Sequence, residues 1–268
     1  MSEFLIGTSG YDYPEWKGIF YPPEIKRADF LSYYATVFSA LEINNTFYNM
    51  PTANRLLNFY ERSEGKIQFS IKANRLLTHE ISPTWQNAAA DFRNAISPIQ
   101  EKNCLCSVLF QLPQSFHYTP DNRIYLSKLI KEFEGFPVVI EFRHKDWVRE
   151  SVFEGLAKMN ANFAYCDMPE LKYLPSGTLE NVQTPIGNSK FEQLYIRLHG
   201  RNSDAWYCND NSQNGSARYD YSYSEKELKE FSEVIKAGSI IYKRIAVFFN
   251  NHPNGNGAKN AICLKNYL

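Results

Sequence analysis

The feature that most constrains this chain is a series of eight short apolar runs, rich in β-branched and aromatic residues and regularly spaced, with helix-like stretches between most of them. In order they are FLIGTS (4–9), ALEIN (40–44), IQFSIKA (67–73), CSVLFQL (106–112), PVVIEF (137–142), NFAYCD (162–167), LYIRLHG (194–200) and RIAVFFNN (244–251). Each has the length of a strand and is too short for a core helix. Eight strands alternating with helices and closing on a helix match a parallel (β/α)8 barrel better than an open doubly wound sheet. A chain of 268 residues suits one such barrel, which takes about 250 residues. The expectation is therefore an α/β chain with a single TIM-like domain over 1–268.

Punctuation between the runs supports this reading. Asp29–Phe38 places Phe30, Tyr34, Val37 and Phe38 on one helix face. Thr119-Pro120 supplies an N-cap and a first-turn proline before Ile124, Ile130 and Phe133, and Gly135 ends that helix. Ser82-Pro83 predicts a helix start running to Gln100. Ser224 with Glu227 reads as a capping box, closed by Gly238, and the tail from Ala258 is helix-like. The weak point is Met168–Phe191, whose Pro and Gly content allows at most a short helix. Arg201–Tyr223 has no periodicity but carries Trp206, Tyr207 and Tyr219, which predicts a lid or ligand-gripping loop.

Composition narrows the function classes. Twenty-nine basic residues cancel twenty-nine acidic ones, which removes the broad positive field used for nucleic acids and anionic membranes. The opening apolar stretch is too short for a signal peptide, and no run approaches the roughly 18–20 apolar residues that span a bilayer. A soluble, cytoplasmic protein is expected, its oligomeric state open. Five cysteines without C-x-x-C spacing point to reduced thiols, with Cys104 and Cys106 packing on one face.

In a parallel barrel the chemistry sits at the C-terminal strand ends, and every run here closes on polar residues. They are Thr8 and Ser9, Glu42 and Asn44, Lys72, Gln111, Glu141 and Arg143, Asp167, Arg197 and His199, and Asn250 and Asn251. Alternation places Glu42 with Asn44, Glu141 with Arg143, and Arg197 with His199 on common strand faces. Unpaired buried charges cost several kcal/mol each, so such a ring must neutralise itself or meet a ligand. The catalytic candidates are Glu42, Lys72, Glu141, Asp167 and His199. Asn44, Gln111, Arg143, Arg197, Asn250 and Asn251 are candidate substrate contacts, and Trp16 and Tyr21 are candidate stacking residues; Trp147 is weighed equally as a stacking ring and as core. His79 and His144 read as structural. Gly255, Gly257 and the helix from Ala258 suggest an anion cradle.

The expected reaction is hydrolase or lyase chemistry on a small polar or anionic, carbohydrate-like substrate, with no cofactor. Glu141 or Glu42 would be the base and His199 the acid, while a desolvated Lys72 offers a Schiff base instead. One alternative is a divalent-metal isomerase or phosphodiesterase with Glu42, Glu141, Asp167 and His199 as ligands, against which Lys72, Arg143 and Arg197 stand. A nucleic-acid-binding or repair protein and a non-enzymatic ligand sensor are further alternatives; the neutral net charge counts against the former.

Collinear pieces across nearly the whole chain carry a resemblance: IGTSGYDYPEWKGIFYP, YYATVFSALEINNTFYNMP, FSIKANRLLTH, LFQLP, IEFRHKDW, YCDMP, YIRLHG and FFNNHPNGNGAKNA. In these the sequence resembles the YecE-like family, domain of unknown function 72. The resemblance implies a TIM-like barrel and supplies no catalytic residue. Its motifs coincide with the strand-end candidates, and Tyr11 stands where the pattern often has Trp.

Overall fold

A computed structural model describes residues 2–175, 191–207 and 217–268. Eight parallel strands close on themselves in sequence order, β1 pairing with both β2 and β8. They are β1 (Glu3–Ser9), β2 (Ala40–Ile43), β3 (Gln68–Lys72), β4 (Leu105–Gln111), β5 (Val138–Glu141), β6 (Asn162–Asp167), β7 (Gln193–Leu198) and β8 (Arg244–Phe249). All eight expected runs are strands of one TIM-like (β/α)8 barrel. Around them lie α1 (Phe30–Val37), α2 (Ala53–Arg62), α3 (Trp85–Glu101), α4 (Pro120–Glu132), α5 (Glu150–Lys158), α6 (Glu225–Gly238) and α7 (Asn256–Tyr267). Among the described residues, no helix is long and apolar enough to cross a membrane.

Two apolar layers hold the barrel. The inner one combines small residues, Ala40, Ala164 and Ala246, with bulky Leu109, Tyr195 and Phe248, so that the lumen is filled rather than hollow. The outer layer packs Ile6, Ile71, Phe110, Ile140 and Val247 against helix residues such as Phe30, Phe92, Leu129 and Leu264. Gly7 marks a close approach of β1 to β2: a Cβ there would lie 1.9 Å from the Ala40 carbonyl oxygen. The Tyr34 hydroxyl stitches the same spot, accepting from Thr8 N and donating to Ala40 O.

Local signals set most helix ends. Thr119 Oγ1 accepts from Asn122 N ahead of Pro120, and Ser224 with Glu227 forms the reciprocal capping box of α6, which ends at Gly238. Helix α3 corrects the expected start: its N-cap is Thr84, while Ser82, two residues earlier, accepts at Oγ from Thr84 N. Ile124 is exposed, the buried face of α4 being Leu126, Leu129 and Ile130. Cys104 and Cys106 do not share a face. A register shift between Phe69 and Ser70 sends Cys104 to the outer layer and Cys106 to the inner one. Most of the β6–β7 connection lies outside the described residues, and so does the middle of the expected lid.

Candidate active site

The barrel mouth is built on a buried ionic network. Arg197 of β7 is 1% exposed and reaches across the lumen to carboxylates from β2 and β5. Its Nε and Nη2 donate to Glu42 at 2.9 and 2.6 Å, and its Nη1 donates to Glu141 Oε2 at 2.5 Å. Glu42 also accepts from Ser9 Oγ at 2.7 Å and Tyr195 OH at 3.0 Å. Behind Tyr195, a hydroxyl chain runs through Ser70 (2.5 Å) to Ser107 (2.8 Å). Glu42 thus has four charge-assisted or hydroxyl donors and no vacant lone pair facing the mouth.

Glu141 is held from both sides, by Arg197 and by Nε of Arg143. Burial pushes its carboxyl up, but Arg143, Arg197 and the His199 contact more than reverse this and hold it well below the usual carboxylate range. His199, fully buried, moves the other way. Desolvation, then Arg143 and Arg197, bring its pKa down to about 3, so the ring is neutral. Its Nδ1 meets the Asn250 amide at 2.9 Å, and its Nε2 lies 3.2 Å from Arg143 Nη2 and 3.6 Å from Glu141 Oε1. The ring is roofed by the described part of the expected lid: Trp206 and Tyr219 lie 6.4 and 6.1 Å from it, centre to centre. Trp206 is 3% exposed and also sits over the Arg143 guanidinium.

On the β3–β5 side the burial is less complete. Lys72, Gln111 and Arg143 are half-buried, in contrast to Glu42, Glu141, Arg197 and His199. Lys72 Nζ donates to Gln111 Oε1 at 2.9 Å and rides 4.5 Å above the Phe47 ring. No carboxylate lies within salt-bridge distance of it among the described residues. Desolvation above all, aided by Arg197 and least by Arg143, outweighs the upward pull of Glu141 and Glu42 and lowers the Lys72 pKa to about 7. His79, edge-on to Phe47, is lowered to about 4 by burial and by the cations Lys72 and Arg143.

Several expected site residues lie elsewhere. Asp167 points to the outer face of β6, where it is clamped by Arg201 (2.8 Å) and Tyr223 OH (2.7 Å); alternation puts Cys166, not Asp167, toward the lumen. Trp16 and Tyr21 are buried in an aromatic plug under the β1–α1 connection. Trp16 Nε1 donates to His252 O, and Tyr21 stacks on Phe30 at 4.1 Å, so neither face is open to a ligand. Asn251 turns outward to Tyr221 O and Asn260 Oδ1. Asn44 lines a cleft of about 250 Å3 beside β2 with Tyr11, Tyr13, Phe59 and Glu42, away from Lys72, Gln111 and Arg143. The suggested anion cradle before α7 faces the chain's own carboxylate, because Asn254 and Asn256 both donate to Asp220. Trp147 is core, stacked on Phe142 at 4.6 Å.

Sequence reasoning missed Tyr195, Ser70, Ser107, Phe47 and Cys166. The period-two pattern contained Cys166 and Tyr195, on the faces of Ala164 and Arg197, but neither carries a charge that singles it out. Ligand atoms of Glu141, Cys166 and His199 lie within 4.8 Å of one another, a set able to hold a metal ion. Two guanidiniums on Glu141 oppose a cation there, and neither Glu42 nor Asp167 belongs to the set.

Comparisons with known proteins agree with this architecture. Residues 5–268 match the family described as "Protein of unknown function DUF72". The chain is 27% identical over 250 residues to the UPF0759 protein YunF of Bacillus subtilis (strain 168), covering 90% of this chain and 86% of that one. A DUF72 family protein of Thermotoga maritima MSB8 superposes with a TM-score of 0.82 at 31% identity, over 98% of each chain. One from Enterococcus faecalis V583 shares the fold, with a TM-score of 0.79 at 22% identity over 99% of this chain and 95% of that one.

Proposed function

The chain belongs to the DUF72 family, and from that premise we propose that it is a lyase-type enzyme acting on a small polar, anionic, carbohydrate-like substrate at the β3–β5 side of the mouth. The observation that carries this reading is the half-buried row Lys72, Gln111 and Arg143 beside a carboxylate network whose lone pairs are already taken. A glycosidase needs one carboxyl with a raised pKa as acid and a second carboxylate as base or nucleophile. Here Glu141 is shifted the opposite way and Glu42 is saturated. The groups left to do chemistry are an amine that changes charge near neutral pH, a guanidinium with Nη1 free of hydrogen bonds among the described residues, and a neutral imidazole. Arg143 grips an oxyanion, Gln111 and Asn250 orient hydroxyls or the imidazole, and Lys72 exchanges protons with the reacting carbon or oxygen. The reading calls for no resident metal.

The test is a thermal-shift panel of sugar acids, sugar phosphates and neutral sugars, with carbon NMR of any stabilising compound to follow turnover. Anionic members should raise the melting temperature, and both Arg143→Met and Lys72→Met should abolish the turnover. Lys72→Met removes no ion pair and serves as the variant that keeps its fold. A panel without any stabilising anion, or turnover that survives Lys72→Met at the wild-type rate, overturns the proposal.

A further inference from the structure

We infer that the substrate carries a carbonyl group as well as a single anionic group, and that Lys72 captures this carbonyl covalently as an iminium while Arg143 holds the anion. The inference rests on the lyase reading above and names the substrate class for it.

The geometry supplies three reasons. First, Lys72 is not held as an ion-pair partner. One Nζ proton is engaged by Gln111 Oε1, the Phe47 face lies beneath, and among the described residues no carboxylate lies within salt-bridge distance of the amine. A lysine placed only to neutralise charge would sit on Glu42 or Glu141, but arginines occupy those positions. Second, the charges balance without it. Glu42 and Glu141 offset Arg197 and Arg143, while His199 and His79 are held neutral by burial and nearby cations. A neutral Lys72 leaves the mouth uncharged, a bound monoanion brings it to minus one, and the iminium cation restores neutrality. Coulomb energy in a low-dielectric site therefore favours a cationic nitrogen on Lys72 once the anion is in place, ammonium and iminium alike, and the iminium is the form that a bound carbonyl traps from the neutral amine. Third, the neutral amine is present at the pH where a cell works, because desolvation and the flanking Arg197 and Arg143 outweigh Glu141 and Glu42.

The Nζ lone pair forms a bond to the carbonyl carbon as the C=O π pair moves to oxygen. That oxygen takes the proton shed by nitrogen, giving a carbinolamine. A second proton from solvent lets the hydroxyl leave as water, and the nitrogen lone pair closes the C=N bond, with one proton consumed overall. With a hydroxyl on the β-carbon, the iminium then accepts the electron pair of the Cα–Cβ bond as that hydroxyl gives its proton to water and becomes the C=O of the departing fragment; the enamine left on Lys72 takes a proton from solvent at carbon, and water hydrolyses the resulting iminium to free the amine and the second carbonyl product.

The test uses glyoxylate, an aldehyde bearing one carboxylate, and glycolaldehyde, its uncharged counterpart, each with cyanoborohydride as reductant at neutral pH. Peptide mass mapping locates the secondary amine formed by hydride delivery to the iminium. The expected result is that Lys72 is labelled at least ten times faster than the exposed lysines, that glyoxylate outpaces glycolaldehyde there, and that Arg143→Met removes the preference for glyoxylate. Lys72→Arg should abolish that adduct while leaving surface labelling unchanged. Labelling spread over lysines according to exposure, with Lys72 no faster than the rest, overturns the inference. The melting-temperature panel, read on the same protein, separates the two failures. Stabilising anions without a Lys72 adduct remove the imine and leave the lyase reading standing, whereas neither signal removes both.

Discussion

Replacing Glu42 by Gln tests whether this carboxylate is a girder or a catalyst. The native side chain accepts from Ser9 Oγ, Tyr195 OH and two N–H groups of Arg197, all buried. A glutamine keeps one acceptor oxygen but turns the other into an NH2 that faces donors, and it leaves Arg197 with Glu141 as its one charged partner. Removing one member of a buried ion pair costs about 3–5 kcal/mol, a large share of the roughly 5–15 kcal/mol that holds a domain together. For a chain of this size that corresponds to a melting temperature lower by roughly 10 °C. Urea unfolding should show a reduced midpoint with an unchanged m-value. The double variant Glu42→Gln/Arg197→Met should lose less stability than the two single losses combined, with a coupling above about 1 kcal/mol, since the pair fails together. A Glu42→Gln protein that loses under about 1 kcal/mol while its turnover vanishes would refute the structural assignment and make Glu42 a working acid or base.

Further outcomes follow from the same geometry. Ring carbon and nitrogen shifts of His199 should show a neutral imidazole at pH 5, with protonation only near pH 3; a midpoint near 6.5 would contradict its burial among cations. Because the unfolded chain binds that proton from pH 6.5 downward and the folded chain does not, stability should fall as pH drops from 6.5 toward 3. For Lys72 the unfolded chain keeps its proton up to about 10.5 while the folded one releases it near 7, so this residue should make stability rise with pH across that window, as the difference between wild type and Lys72→Met in urea midpoints will report. Tyr223→Phe leaves the Gly200 N–H without its acceptor and Asp167 without one donor, and should cost about 1–3 kcal/mol in urea unfolding. Trp206→Ala should speed modification of Cys166 by a thiol reagent severalfold, since Trp206 packs from the lid into the inner cluster that holds Cys166; unchanged kinetics would mean that Trp206 does not cover it.

The barrel was legible because its strands obey two simple rules, a short β-branched run and a helix signal before the next run. Thr119-Pro120 and Ser224-Glu227 announce α4 and α6 through backbone donors that need a cap. Helices α2 and α5 carry weaker signals, and Ser82 misplaces the start of α3 because its hydroxyl serves a turn and not a cap. At the site, charge at a strand end found Glu42, Lys72, Glu141, Arg143, Arg197 and His199. It failed for Asp167, whose neighbour Cys166 owns the inward position, and for Trp16 and Tyr21, whose chain position after β1 says nothing about which way a loop folds back. Tyr195 was invisible for the opposite reason: its role depends on Glu42 and Ser70 across the barrel, and that of Phe47 on Lys72 at the end of the neighbouring strand, contacts that periodicity does not encode.

The bridge from Glu42 to Arg197 spans 155 residues of chain, and this separation bears on how the molecule is made. During synthesis the first four strands emerge with a carboxylate aimed into a lumen where its guanidinium partner is missing until β7 arrives. A half-barrel assembled early would enclose that carboxylate without the partner that hydrogen-bonds it, at a cost of several kcal/mol. Closure must therefore wait for most of the polypeptide, so contact order is high, folding is slow and the open sheet edges stay exposed meanwhile. The same salt bridge that secures the finished mouth acts as a checkpoint against premature collapse, and fragments ending before Gln193 should remain uncompacted where a chain with an apolar lumen would condense.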